Sequence, residues 1–239
     1  MNFGTVSVLI VIIASWFRRD ERRKREYFLT AMGFAALIVG WGQLPQLLIQ
    51  MTPYTYDEAF LRYDHWLGFD TMRVADLLGH YRYLMAACYA VYILLPVAMA
   101  VAWIIEQNKV MRRGIVIGAT LCWVFFASVP AVGPVYYNLS SHSAAISPRN
   151  CLPSMHLSWV LLLAWNARRW MLKIGLWVFA GLTLIATIGL REHYLVDLIA
   201  AIPFTIGVQW LAKVACEHGV QFINTNEPLA GPEIVMKKL

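Results

Sequence analysis

The chain is short of charge. Only 14% of its 239 residues are Asp, Glu, Lys or Arg, whereas 59% are hydrophobic, and the mean hydropathy is +0.56. Soluble domains carry about 25% charged residues, so the composition excludes an ordinary water-soluble enzyme. It also excludes a disordered chain, which needs low hydrophobicity and high net charge. Four Cys are too few for a disulfide framework. Cys88 and Cys122 lie in long apolar runs, and Cys151 reads as a small loop residue. No repeat of fixed period is present. The net charge of +6 would point to nucleic acid in a soluble chain. In a hydrophobic one it points to membrane topology, and no nucleic-acid partner is expected.

What the chain does have is long apolar runs. A membrane-crossing helix needs about 20 apolar residues, and seven stretches qualify: 2–17, 27–51, 83–105, 114–139, 154–165, 171–190 and 194–216, the fifth of them short. The expected fold is therefore all-α, a polytopic helical membrane protein. Residues 1–26 form an anchor span with a basic cytoplasmic loop, since neither a basic leader nor a small-residue cleavage site precedes that loop. Residues 27–216 form the membrane core, and 217–239 a cytoplasmic tail. Segment 52–80 interleaves Asp57, Glu58, Asp64, Asp70 and Asp76 with Tyr54, Tyr56, Phe60, Tyr63, Trp66 and Phe69. That pattern suits one or two helices lying in the interface, as an amphipathic connector or else as a lid or acceptor-binding surface.

The cations give an orientation. Arg18, Arg19, Arg22, Arg23, Lys24, Arg25, Lys109, Arg112, Arg113, Arg168, Arg169, Lys173, Lys213, Lys237 and Lys238 fall on one side of the seven-span scheme. Arg62, Arg73, Arg82, Arg149 and Arg191 fall on the other. The richer side is cytoplasmic by the positive-inside rule, which puts the N-terminus outside and the C-terminus inside.

Two segments carry chemistry, and both fall on the outer side. Pro148-Arg149-Asn150-Cys151-Leu152-Pro153-Ser154-Met155-His156 leads into an apolar helix. A helix start offers free N–H groups and partial positive charge, a ready anion site. Ser154 can cap it, Arg149 can grip phosphate oxygens, and His156 stands one turn in. Arg191-Glu192-His193-Tyr194-Leu195-Val196-Asp197 places a His and an Asp at i,i+4, on one helix face. A carboxylate on one imidazole nitrogen fixes the tautomer and leaves the other nucleophilic. Asp197 stands inside an apolar span, where an ionisable group needs a partner or a function. A nucleophile, an orienting acid, a charge clamp and a second His are the parts of phosphoryl transfer through a phosphohistidine. A metal is less well supported, because no compact cluster of further ligands is evident. A Ser154 nucleophile lacks the Gly-x-Ser-x-Gly elbow.

Segments 148–156 and 191–197 resemble the second and third signatures of the type 2 phosphatidic acid phosphatase superfamily. The closer likeness is to its inositol-phosphorylceramide-synthase-like and sphingomyelin-synthase-like branch, where His-Tyr-x-x-Asp replaces the longer phosphatase motif. Tyr63-Asp64-His65-Trp66-Leu67-Gly68 and Val132-Gly133-Pro134-Val135-Tyr136-Tyr137 also look like that branch. The resemblance covers residues 27–213 or so. It implies a six-helix phosphatidic-acid-phosphatase-type core, here with an extra N-terminal span, an active site at the outer face, and no cofactor or required metal. It implies His193 as phosphoryl acceptor, Asp197 as its orienter, His156 as proton donor to the leaving oxygen, and Ser154 as a phosphate ligand. The partner it implies is a lipid phosphate or phospholipid in the membrane. Two departures stand out. The Lys-x6-Arg-Pro signature of the phosphatases is absent, and Thr187 stands where they carry an Arg six residues before the nucleophile. Arg149 and Arg191 are the candidate substitutes, with Arg62, Arg73 and His80 behind them. Loss of positive ligands fits a phosphodiester donor and an alcohol acceptor slightly better than a monoester and water.

Overall fold

The computed structural model describes residues 54–106, 108–137 and 150–224, with isolated positions before residue 53. The expected spans 2–17 and 27–51, the tail beyond 224 and Arg149 lie outside the described residues. The described chain is all-α: α1 Asp57–Trp66, α2 Thr71–Gly79, α3 Arg82–Glu106, α4 Lys109–Ser128, α5 Pro134–Tyr137, α6 Met155–Asn166, α7 Trp170–Gly189 and α8 Leu195–Asn224.

Four of these, α3, α4, α7 and α8 (over Leu195–Glu217), are long and apolar enough to cross a membrane. Their outward faces carry large apolar side chains, among them Val124, Val178, Ile206 and Trp210, each more than half exposed. Apolar surface of that extent is a liability in water and the expected finish against lipid. A multi-pass integral membrane protein follows. Two spans differ from the sequence expectation. The helix over 114–139 stops at Ser128, and the chain re-enters helix only for the single turn of α5. The fifth span is a 12-residue helix, about 18 Å long at 1.5 Å per residue, too short to cross hydrocarbon about 30 Å thick.

That short helix is the core. Ten residues of α6, Met155, Leu157 to Ala164 and Asn166, are buried, and it packs on α3, α4, α7 and α8 together. A helix apolar on every side belongs inside a bundle. Gly114 and Gly118, one turn apart on α4, make room for it and for α8. A Cβ at Gly114 would stand 3.4 Å from Leu162, and one at Gly118 would stand 3.5 Å from Val208. Small residues at this spacing let helix backbones approach closely in membranes.

Polar caps tie one end of the bundle. The Glu106 carboxylate accepts from the Arg168 N–H at 2.8 Å, at the start of α7. Asn108 caps α4 and donates to the Asn166 carbonyl at 3.1 Å. Arg113 donates to the Ala215 carbonyl of α8. Lys109, Arg112, Arg113, Arg168, Arg169, Lys173 and Lys213 gather at this end. The opposite end holds α1, α2, α5 and both chemistry-bearing segments, so the basic loops and the candidate site are separated by the thickness of the bundle.

Candidate active site

The site is built where α6 and α8 begin. The loop after α7 turns at Arg191, whose φ is +59°, and the Glu192 and His193 N–H groups both donate to the Thr187 carbonyl, at 3.0 and 3.2 Å. This hairpin drops His193 back into the bundle, where it is 4% exposed. In the first turn of α8, the fully buried Asp197 accepts from His193 Nδ1 at 3.3 Å and from the Tyr194 N–H at 2.9 Å. An acceptor on Nδ1 assigns the proton there and leaves the Nε2 lone pair free.

The second segment meets the first through the backbone. The Ser154 N–H donates to the Asp197 carbonyl at 3.2 Å, which seats the start of α6 beside the start of α8. His156 then faces His193 with ring centroids 6.3 Å apart, near edge-on at 64°. Tyr92 of α3 stacks on His156 with ring centroids 3.9 Å apart. The fully buried Ser154 hydroxyl has no hydrogen-bond partner among the described residues, and neither has Asp197 Oδ1. Ser154 makes no side-chain cap of α6, although the sequence reading allowed one. An unmade buried hydrogen bond costs stability, and this hydroxyl stands at a helix start, where free N–H groups and partial positive charge favour an anion.

His193, Asp197, His156 and Ser154 therefore converge. Arg191 does not join them: its guanidinium pairs with Asp76 of α2, a partly exposed ion pair.

Several residues at the site were read from sequence only as members of the interfacial segment and of the two further family-like stretches, with no role at the site. Asp57, fully buried on α1, accepts from the Val132 N–H at 3.1 Å, the Gly133 N–H at 3.0 Å and the Tyr194 hydroxyl at 2.8 Å. Asp64, also fully buried, accepts from the Leu195 and Val196 N–H groups at 2.9 and 3.0 Å and from Thr71 Oγ1 at 2.5 Å. Phe60 lies edge-on to Tyr194, centroids 5.7 Å apart. The signal was available: Asp57, Phe60 and Asp64 at i, i+3 and i+7 share one helix face, and that face is the buried one. Segment 52–80 is thus two helices, as expected, but it is docked by carboxylates beneath the His193 loop. Gly133 completes the seat. Its φ is +92°, and a Cβ there would stand 2.4 Å from the Glu192 carbonyl oxygen, so only glycine fits.

The electrostatics are acidic. Burial pushes the Glu192 carboxyl up from its ordinary value of 4.5, against the opposing pull of His193. Glu192 in turn raises the Tyr136 phenol, with burial adding to it. Cys151, His193 and Asp197 offer three ligand-type atoms within 4.8 Å of one another. Burial, with the negative charges of Asp197, Asp57 and Glu192, holds the Cys151 thiol well above its usual range. Metals take the thiolate, and the Cys151 thiol donates to the Glu192 carbonyl at 3.4 Å.

A family model described as the PAP2 superfamily matches residues 58–211, more than half of the chain. No curated protein matches the chain, and no solved structure does.

Proposed function

Since the chain belongs to the PAP2 (type 2 phosphatidic-acid-phosphatase) superfamily, we propose that it cleaves a lipid-linked phosphate ester through a phosphohistidine at the outer face of its membrane. Family membership and the His193, Asp197 and Cys151 cluster are consistent with a lipid-acting phosphatase or phosphotransferase site. The observation that carries the finer reading is the oriented, buried His193 facing His156 across 6.3 Å, close enough for one bound phosphate group to touch both.

The His193 Nε2 lone pair attacks phosphorus. The bond from phosphorus to the leaving oxygen breaks, and that oxygen takes its electron pair and a proton from His156. Asp197 stabilises the positive charge on His193, while Ser154 Oγ and the open amides of α6 hold the phosphate oxygens. In the second step a water or alcohol gives its proton to His156 and attacks phosphorus. The N–P bond then breaks and its electron pair returns to His193.

One observation favours an alcohol acceptor and a phosphodiester donor, as in the sphingolipid-synthase-like branch. Glu192 adds a half-buried carboxyl beside His193, and Arg191 is held by Asp76. Among the described residues the site carries little free positive charge, which suits a monoanion better than a dianion. The topology proposed from the cations places this end of the bundle outside and the C-terminus in the cytoplasm.

The test is to offer purified protein a panel of lipid phosphates and phospholipids, with and without alcohol acceptors. Inorganic phosphate release identifies hydrolysis, and a new head-grouped lipid identifies transfer. A full-rate His193→Ala variant would refute the reading.

A further inference from the structure

The nucleophilic loop is held from a distant part of the chain. Within residues 190–197 the Asp197 carboxylate takes the Tyr194 N–H and the Tyr194 carbonyl takes the Asp197 N–H, which leaves the first two amides of α8 to partners elsewhere. The Leu195 and Val196 amides go to Asp64, across 131 and 132 residues of sequence, and the Tyr194 hydroxyl goes to Asp57, across 137. Tyr194 lies between His193 and the rest of α8 and is fully buried, so its two tethers, its own N–H to Asp197 and its hydroxyl to Asp57, set the direction from which the His193 ring leaves the backbone. Asp57 also binds the Val132 and Gly133 amides, and Gly133 abuts the Glu192 carbonyl. The chain on both sides of His193 is thereby braced by one helix, α1. Asp64 is itself held by Thr71 at the start of α2.

We propose that Asp64 and Asp57 are positioning residues for the phosphoryl-transfer step, acting through the backbone of 194–196 and the Tyr194 hydroxyl to aim His193. This rests on the reading of His193 as nucleophile. Neither carboxylate touches the reacting phosphorus. Each acts on geometry, where a displacement of about 1 Å can cost about a hundredfold in rate.

The experiment uses the full chain in lipid vesicles. Turnover of the best substrate is measured for the wild type, Asp64→Ala, Asp64→Asn and Tyr194→Phe. The ring ¹⁵N signals of His193, assigned by their loss in His193→Gln, are recorded for each. Asp64→Ala lowers kcat about tenfold or more while KM changes less than about threefold, since aim and not substrate binding is lost. Asp64→Asn, which keeps one oxygen acceptor, recovers part of that loss, and the His193 signals move from one tautomer towards an average in Asp64→Ala. Tyr194→Phe, which deletes one oxygen, lowers kcat by a smaller factor in the same direction and carries the test if Asp64→Ala does not fold. An Asp64→Ala enzyme with kcat within twofold of the wild type overturns the proposal, as does a loss that only tracks the amount of folded protein. If the wild type turns over no phosphate ester, the proposed function fails. The tautomer signals then still decide whether Asp64 holds the ring.

Discussion

The starts of α6 and α8 meet at the same pair of imidazoles and are opposite in kind. At α8 the leading amides are already taken: Leu195 and Val196 by Asp64, Tyr194 by Asp197. At α6 the residue in the cap position, Ser154, makes no side-chain cap, and its buried hydroxyl has no described partner. Any helix start presents orphan N–H groups and partial positive charge. A carboxylate placed there converts that potential into structure, and leaving it open keeps it for an anion. The molecule does both within one site. On the proposed function, one helix start holds the nucleophile and the other stays open for what it attacks.

The largest effect tests whether α8 carries the nucleophile at all. His193→Ala should lower turnover by about a thousandfold or more, as for other covalent nucleophiles, with the protein still folded by thermal unfolding in detergent. Asp197→Asn comes next. The amide keeps the shape of the side chain but can offer its NH₂ to Nδ1 and so invert the tautomer, and a loss of about tenfold to a thousandfold in kcat is expected. Equal rates for the Asn variant and the wild type would remove Asp197 from the mechanism. Ser154→Ala then probes the open helix. It deletes the hydroxyl that lacks a partner, so it should raise KM or lower kcat by about tenfold without loss of thermal stability, because no hydrogen bond of the empty protein is lost. A clear drop in stability would show that the hydroxyl serves the fold instead.

A smaller effect concerns the acidic wall. Glu192 is pushed above its ordinary value of 4.5, mainly by burial. The folded protein thus holds that proton more tightly than the unfolded chain, and stability falls as pH rises from about 4.5 through the folded value. Over the same window a negative charge appears beside the anion site, and KM for an anionic substrate should rise. Glu192→Gln should flatten both limbs, read from unfolding temperature and from KM against pH. Parallel profiles for the two proteins would detach Glu192 from the site.

Much of this contrast was legible in the sequence and part was not, for physical reasons. The i,i+4 spacing of His193 and Asp197 is a local relation that points to the pair, but not through one helix face. His193 stands in the loop two residues before α8, and its N–H bond to the Thr187 carbonyl turns it back onto Asp197. The Pro-Ser start of α6 is equally local. What closes α8 is not local: Asp57 and Asp64 lie in a segment whose alternation of acids and aromatics reads as an interfacial surface, yet both acids face inward. Their partners are mostly backbone N–H groups, and any residue type supplies one, so the partner sequence carries no signal. The short length of α6 was visible in the run 154–165, but the role of that helix as the buried centre depends on four neighbours that only the fold assembles. Charge alone also misdirects at Arg191, since the sequence shows a cation beside the nucleophile and the fold gives that cation to Asp76.

Arg191 is where the comparison can be sharpened most finely, because the smallest effect is expected there. The Arg191–Asp76 pair is partly exposed, and such pairs contribute about 0–1 kcal/mol. Its backbone matters more than its charge: φ of +59° is left-handed, a conformation that Asn adopts more readily than most residues. Arg191→Asn keeps the turn that carries His193 and deletes only the guanidinium. If the anion is held at α6, turnover should stay within about threefold of the wild type and unfolding temperature should change little. A tenfold or greater rise in KM would mean that the guanidinium leaves Asp76 for the substrate, and the open start of α6 would then not hold the anion by itself.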